Sequence, residues 1–182
     1  DVVFTEIQDI FLEYIPAGGK ILDFGCGSGR DTKYFLSQGF DVNAIDGSEE
    51  LCKVAGEYTG IKVKQMLFEE LDEIEAYDGV WACASILHVE KKMLPDIIKK
   101  IAIATKKGGV VYTSFKYGEF EGIRNGRFFT YLTEKSFEEL LRNVPPLSMI
   151  PLLILWCGIG EVTKIIIIVL ASFFPMYLNI VK

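Results

Sequence analysis

Histidine is nearly absent from this chain of 182 residues, which carries one imidazole, at His88. The four cysteines, Cys26, Cys52, Cys83 and Cys157, are widely separated and form no C-x-x-C pair. So few and so scattered ligands exclude a zinc site of the usual spacing and offer no disulfide framework, the pattern of a reduced, cytoplasmic protein. Basic residues are also in short supply, with 19 Lys and Arg against 25 Asp and Glu and a net charge of -6. A broad nucleic-acid footprint needs clustered cations to displace counterions, so a small-molecule partner is expected and nucleic acid is not. The residues present show no basic segment running into an apolar one, so no secretion signal is expected either. Oligomeric state leaves no mark on the composition. The length suits one domain over 1-182.

What the chain does have is an alternation of element types. Ile7, Ile10, Phe11 and Tyr14 fall on one helical stripe, predicting an N-terminal helix within 1-15 that ends near Pro16. "KILDF" reads as a strand, and residues 28–38 read as a helix with Ser28 and Asp31 spaced as a capping box and Gly39 as terminator. "FDVNAID" is a second strand, and Ser48 caps a helix whose first turn holds Glu49 and Glu50. "IKVKQML", "YDGVWACAS" and "GGVVYTSFKY" follow as strands, the last two separated by the helical stripe Leu94, Ile97, Ile98 and Ile101. Five strands spaced by helices require right-handed crossovers, and so a mainly parallel sheet covered on both faces. Residues 118–132, rich in glycine and aromatics, break this rhythm and read as a loop.

The stretch "ILDFGCGSGRD" sets Gly25, Gly27 and Gly29 on alternate positions after the first strand. Glycine there permits positive φ and lets backbone approach a ligand, and in such sheets ligands sit outside the carboxyl ends of the strands. Asp46 ends the second strand 21 positions after Gly25, where a carboxylate accepts hydrogen bonds from ribose hydroxyls. A dinucleotide fingerprint counted from Gly25 needs a last glycine where Arg30 stands, which disfavours that cofactor.

"LDFGCGSGRD" followed by "VNAIDGSEEL" resembles the S-adenosylmethionine-binding half of class I methyltransferases, and "YDGVWACASILHV" and "KKGGVVYTSFKYG" resemble their fourth and fifth strands. The chain also resembles the small bacterial type related to tellurite-resistance methyltransferases. The resemblance implies a doubly wound, mainly parallel, seven-stranded Rossmann-like sheet with a C-terminal antiparallel hairpin. It implies that Asp23 and the backbone of Gly25, Cys26, Gly27 and Gly29 face the methionine part of S-adenosyl-L-methionine, that Asp46 with Gly47 holds the ribose, that Met66, Leu67 and Phe68 border adenine, and that Ala84 adjoins the cofactor. Many relatives place an Asp after the third strand, where this chain has Leu67 and acids only at Glu69 and Glu70.

A sulfonium methyl is already activated, so such an enzyme mainly aligns its acceptor and excludes water. His88 is the catalytic candidate, as a general base or as a polar wall of the acceptor site, since imidazole titrates near neutrality. Ser85 is a weaker one. Arg124, Arg127, Phe128, Phe129 and Tyr131 lie in the candidate substrate loop 118-132, as an anion-receiving lid or a solvated loop packed by its aromatics. Tyr34 reads as core, Cys26 as a small packing residue, and Lys91, Lys92, Lys99 and Lys100 as a solvated helix face.

Residues 147-182 carry charge only at Glu161, Lys164 and Lys182, and 165–181 carry none. The length approaches a minimal membrane span of ~17 residues, but the β-branched run from Ile165 to Val169 and the prolines favour "MIPLLILWC" and "KIIIIVLAS" as the two arms of the apolar hairpin, followed by an apolar tail. The expectation is a cytoplasmic S-adenosylmethionine-dependent transferase acting on a small molecule, with a thiol and a tellurite-like oxyanion as candidate acceptors. A noncatalytic cofactor-binding module and a membrane-anchored methyltransferase are the alternatives.

Overall fold

The computed structural model describes residues 2–142 and the strand at 152–157. Helix α1 (Val2–Glu13) leads into β1 (Lys20–Phe24), α2 (Arg30–Ser37), β2 (Asp41–Asp46), α3 (Glu49–Thr59) and the short β3 (Lys64–Gln65). The chain continues through β4 (Tyr77–Ala82), α4 (Leu94–Ala104), β5 (Thr105–Lys116), β6 (Glu121–Arg124), β7 (Arg127–Thr130), α5 (Glu134–Arg142) and β8 (Leu152–Cys157). The main sheet has the order β3-β2-β1-β4-β5-β8, with every neighbouring pair parallel. From β1 the chain winds outward to β2 and β3, then returns to the other side of β1 as β4. The reversal opens a crevice at the carboxyl ends of β1 and β4.

Strand periodicity sends the two faces of β1 into separate cores. Ile21 joins Ile7, Phe11, Phe35, Trp81 and Tyr112 beneath α1 and α2, whereas Leu22 and Phe24 join Val80, Ile97, Ile98, Ile101 and Phe115 beneath α4 and α5. All of these are buried. Trp81 stacks on Tyr112 with ring centroids 3.8 Å apart and meets Phe11 and Phe35 edge-on at 5.0 and 5.3 Å. Each such side chain contributes roughly 1.5–3 kcal/mol on burial, enough to hold α1 against the sheet through Ile7 and Phe11. Tyr34 is only partly buried against this core, with its hydroxyl bonded to Asp9. The helical stripe of α4 is buried as expected, and Lys99 is exposed while Lys100 donates to the Leu71 carbonyl. Lys91 and Lys92 precede the helix, and Lys92 pairs with Glu90.

Three local expectations are corrected. Helix α2 has no Ser28 capping box: it starts after Gly29, whose φ of 85° takes the left-handed region, and Asp31 turns its carboxylate inward to other partners. "IKVKQML" forms a strand only at Lys64–Gln65, where an exposed edge strand pairs with two residues of β2, and Met66 then turns into the core. Within 118–132 the chain forms an antiparallel hairpin, β6 with β7, around Asn125 and Gly126 at φ 50° and 76°. Asn-Gly supplies the two positive φ values that a tight hairpin turn needs. At the C-terminal edge, "MIPLLILWC" supplies β8, which runs parallel to β5 from Val111↔Leu152 to Lys116↔Cys157 and makes six strands in the main sheet among the described residues. A strand that returns to the same edge after a helix, here α5, runs parallel; a direct turn from β5 would have made it antiparallel. "KIIIIVLAS" and the apolar tail lie outside the described residues. No helix among the described residues is long and apolar enough to cross a membrane.

Candidate functional site

The glycine loop between β1 and α2 is held to the end of β2. Gly25 and Cys26 both donate their N–H groups to the Ile45 carbonyl, at 3.0 and 2.9 Å, and Gly27 donates to Asp46 Oδ2 at 2.9 Å. The other oxygen of Asp46 accepts the Ser48 N–H at 2.9 Å, so one carboxylate ties the loop to the start of α3. Gly29 donates to the Cys26 carbonyl. With four of its N–H groups used inside the protein, the loop offers bare Cα atoms and the carboxylates around it, rather than a nest of free amides.

Glycine is required at two of these positions for different reasons. A Cβ on Gly25, at φ 87°, would lie 2.5 Å from the Ser85 Cβ and 3.1 Å from the Phe68 ring. On Gly29 it would lie 2.8 Å from a Thr59 methyl and 3.1 Å from the Ala55 Cβ of α3. The first glycine keeps the mouth of the crevice open to the end of β4, and the second lets α2 and α3 pack.

Beneath the loop lie two buried carboxylates with opposite circumstances. Asp31 Oδ1 accepts from Gln8 Nε2 at 2.9 Å and Arg30 Nε at 2.7 Å, and Oδ2 accepts from Trp81 Nε1 at 2.9 Å and the Arg30 guanidinium at 3.1 Å. Donors from α1, α2 and β4 thus converge on one saturated anion. Asp23, only 2% exposed, has one side-chain donor, the Thr32 hydroxyl at 2.5 Å. Burial pushes its pKa up to about 7; the Thr32 hydrogen bond works against this, and the neighbouring Asp31 charge adds to it. Among the described residues, Asp23 is therefore held by Thr32 alone on the side-chain side, with no basic partner of the kind that Arg30 gives Asp31.

The sulfur atoms around the loop are inert. Cys26 packs with Ala44 and Ala55, and burial, followed by the charges of Asp23 and Asp46, drives its thiol well above the ordinary range. Burial likewise pushes the Cys83 thiol up to about 12. Among the described residues no cluster of three or more His, Cys, Asp or Glu side chains is placed to hold a metal ion.

A cavity of about 350 Å³ opens beside the loop, lined on one side by Gly47, Met66, Leu67, Phe68 and Glu69 and on the other by His88, Val89, Glu90, Met93 and Phe128. Its size falls within the range of small-molecule sites. Met66 is buried and its N–H donates to the Asp46 carbonyl, whereas Leu67 is 58% exposed at the rim. Glu70 folds back on the Leu67 N–H at 2.7 Å, closing the one-turn 3₁₀ helix Phe68–Glu70. Of the two acids, only Glu69 lines the cavity. The Phe68 ring packs on Phe24 at 4.7 Å and stands over Gly25, so it borders both the glycine loop and the cavity.

The far wall is the 3₁₀ turn Ile86–His88 and the hairpin. Ala84 leaves β4 exposed and at φ 49°, its N–H donated to the Ser114 hydroxyl at 2.7 Å. This turns Ser85 over Gly25, where it is 5% exposed and its Oγ has no partner among the described residues. His88 Nδ1 lies 2.7 Å from the Phe128 carbonyl and its ring meets Phe129 at 4.6 Å. Lys116 sits over Phe129 at 4.3 Å, while Arg124 sits over Phe120 at 4.2 Å and donates to the Tyr131 hydroxyl at 3.4 Å. Arg124 and Tyr131 thus brace the hairpin, Arg127 is exposed at its turn, and Phe128 lines the cavity.

The structure brings the loop, Asp23, Asp46 and Ala84 together at one end of the sheet, and places Gly47, Met66, Leu67 and His88 around the adjoining cavity. The anchoring roles of Gln8, Thr32 and Trp81 had no sequence signal, because each acts on a residue distant in the chain. Asp31 did carry one, as an acid at a position that the fold buries.

Residues 21–109 match the sequence family described as a methyltransferase domain. Among curated proteins, the ubiquinone biosynthesis O-methyltransferase of Rickettsia conorii is 36% identical over 89 residues, which is 45% of this chain and 31% of the relative. A relative of another kind also matches, over a short stretch: the putative aliphatic sulfonates transport permease of Escherichia coli, 54% identical over 41 residues, 22% of this chain and 16% of its own length. The chain spans less than a third of either protein's length. Among solved structures, a SAM-dependent methyltransferase from Methanosarcina mazei superposes with a TM-score of 0.66 at 21% identity, over 74% of this chain and 82% of the other. The 1,6-didemethyltoxoflavin-N1-methyltransferase of Burkholderia thailandensis, with 1,6-didemethyltoxoflavin and S-adenosylhomocysteine bound, gives a TM-score of 0.62 at 26% identity, over 76% and 65%.

Proposed function

We propose that this chain is an S-adenosylmethionine-dependent methyltransferase acting on a small-molecule acceptor. The observation that carries the reading is the pair of carboxylates flanking the glycine loop: Asp46, bonded to the Gly27 N–H at the end of β2, and Asp23, buried in β1 just before the loop. Asp46 receives the ribose hydroxyls, Asp23 answers the positive charge of the methionine part, and Met66 and Leu67 supply apolar surface for the flat base. The cofactor brings a methyl group already activated on a sulfonium. The protein therefore has to orient the acceptor, keep water out and, where the acceptor carries a proton, remove it.

The methyltransferase-domain match over 21–109 and the Burkholderia structure with its bound cofactor product support this reading. The Rickettsia relative is an O-methyltransferase, and the Burkholderia enzyme is an N1-methyltransferase, so oxygen and nitrogen acceptors join the thiol and tellurite-like oxyanion in the panel to be tested.

Titration calorimetry with S-adenosylmethionine, followed by transfer assays from labelled cofactor to hydroxyl, amine, thiol and oxyanion acceptors, tests the reading. Binding with transfer to one class supports it. Absence of binding rejects it, and binding with no transfer across the panel turns it into a noncatalytic cofactor-binding module.

A further inference from the structure

We infer that the β6–β7 hairpin sets the tautomer of His88, leaving Nε2 as the proton-accepting atom of the cavity, and that the acceptor is a hydroxyl compound that enters with its proton in place. This rests on the methyltransferase reading and names the acceptor class for the same site. A backbone carbonyl can only accept a hydrogen bond, so the 2.7 Å contact to the Phe128 oxygen requires the hydrogen on Nδ1. In the neutral ring Nε2 then carries the lone pair. No hydrogen-bond partner engages Nε2 among the described residues, and His88 lines the cavity.

The tautomer is enforced by the way the hairpin is fastened. Thr130, fully buried, donates its hydroxyl to the Val89 carbonyl at 2.6 Å, one residue beyond His88. Glu121, at the start of β6, accepts the Lys91 N–H at 2.8 Å. Phe129 lies against the imidazole and is itself covered by the Lys116 ammonium. The segment 88–91 is thus clamped at three points to one hairpin, and Phe128, between them, presents its carbonyl to Nδ1. Thr130 is a positioning residue: it acts through Val89 and the strand, not on the acceptor.

A thiolate or an oxyanion arrives without a proton and leaves an oriented base idle, and a neutral amine attacks through its own lone pair, whereas a hydroxyl becomes an effective nucleophile only as its proton is removed. As the acceptor oxygen bonds to the methyl carbon, the carbon–sulfur bond breaks with its electron pair remaining on sulfur, and the hydroxyl proton passes to His88 Nε2. The sulfonium charge is cancelled and an imidazolium charge appears, so the total is conserved.

The single histidine makes the test direct, because the imidazole nitrogen resonances of the labelled chain report one residue. At a pH where the ring is neutral, wild type is expected to show hydrogen on Nδ1 and a bare Nε2, opposite to the preference of free histidine. Thr130→Val, close in shape but without the hydroxyl, is expected to shift the ring to a mixture of tautomers and lower transfer to a hydroxyl acceptor about tenfold, with cofactor affinity unchanged. Thr130→Ser restores both. His88→Gln binds cofactor and loses transfer to hydroxyl acceptors by a hundredfold or more. A neutral Nε2–H ring in wild type, transfer confined to thiols, or wild-type rates in His88→Gln would each overturn the inference while cofactor binding stands. Failure of wild type to bind S-adenosylmethionine removes the underlying methyltransferase reading instead.

Discussion

Asp46 Oδ2 accepts the Gly27 N–H at 2.9 Å, which makes the end of the second strand and the middle of the glycine loop one unit. The side chain proposed to receive a ribose is also the strut that shapes the loop beside it. Substitution there therefore has two effects that measurement can separate.

Asp46→Ala removes acceptors for Gly27 and Ser48 together with the hydrogen bonds expected to the cofactor. Hydrogen bonds to a charged group contribute about 1.5–3 kcal/mol, so calorimetry is expected to show affinity weakened by roughly ten- to 150-fold. Asp46→Asn keeps one oxygen for Gly27 or Ser48 and should fall between the two. Unchanged affinity in Asp46→Ala removes this residue from the site.

Asp23 makes stability and binding respond to pH in opposite senses. Its folded pKa, about 7, lies above the ordinary 3.8, so the folded state holds a proton that the unfolded state releases first. Stability from this group is present below the ordinary value and is lost as pH rises through 7. Affinity for a cationic ligand instead rises over the approach to 7 as the carboxylate forms. Asp23→Asn is expected to be more stable than wild type at pH 8, on the order of 2 kcal/mol in a denaturant titration, and close to it at pH 4. The same variant should lose the pH dependence of cofactor binding and most of the affinity.

Gly25→Ala forces a Cβ to within 2.5 Å of the Ser85 Cβ at a φ of 87°. Both strain and overlap oppose it, and a loss of about 1–3 kcal/mol in thermal or chemical unfolding is expected. Gly18→Ala, also at positive φ but with open space around it, carries the backbone strain alone and serves as the control.

Trp81→Phe keeps the aromatic packing around Phe11 and Phe35 but deletes the indole N–H that Asp31 accepts at 2.9 Å. Asp31 retains Gln8 and Arg30, so the expected cost is that of one charge-assisted hydrogen bond, about 1.5–3 kcal/mol. Equal stability of the two proteins would show that Arg30 and Gln8 alone satisfy the carboxylate.

Local pattern was enough to read some elements directly. "KILDF" and "FDVNAID" became β1 and β2 because an apolar run after a turn has few alternatives, and Ser48 does accept the Leu51 N–H to cap α3. The Asn-Gly in 118–132 is an equally local hairpin signal, masked by the glycines and aromatics around it. Ser28 and Asp31 misled in the other direction: a capping box is a local preference, and three donors from two helices and a strand outweigh one hydrogen bond at a helix end.

The chain by itself determined the alternation of strands and helices, the glycine loop and the acid at the end of the second strand, since each depends on spacing within a few turns of backbone. Only the tertiary structure decided that β8 joins β5 in parallel, that Asp31 gathers side-chain donors from three elements while Asp23 takes one from Thr32, and that His88 turns Nδ1 to Phe128. These depend on which distant groups meet. The free energy of a buried carboxylate or imidazole is set by the donors and acceptors around it, and those come from segments that sequence order keeps apart.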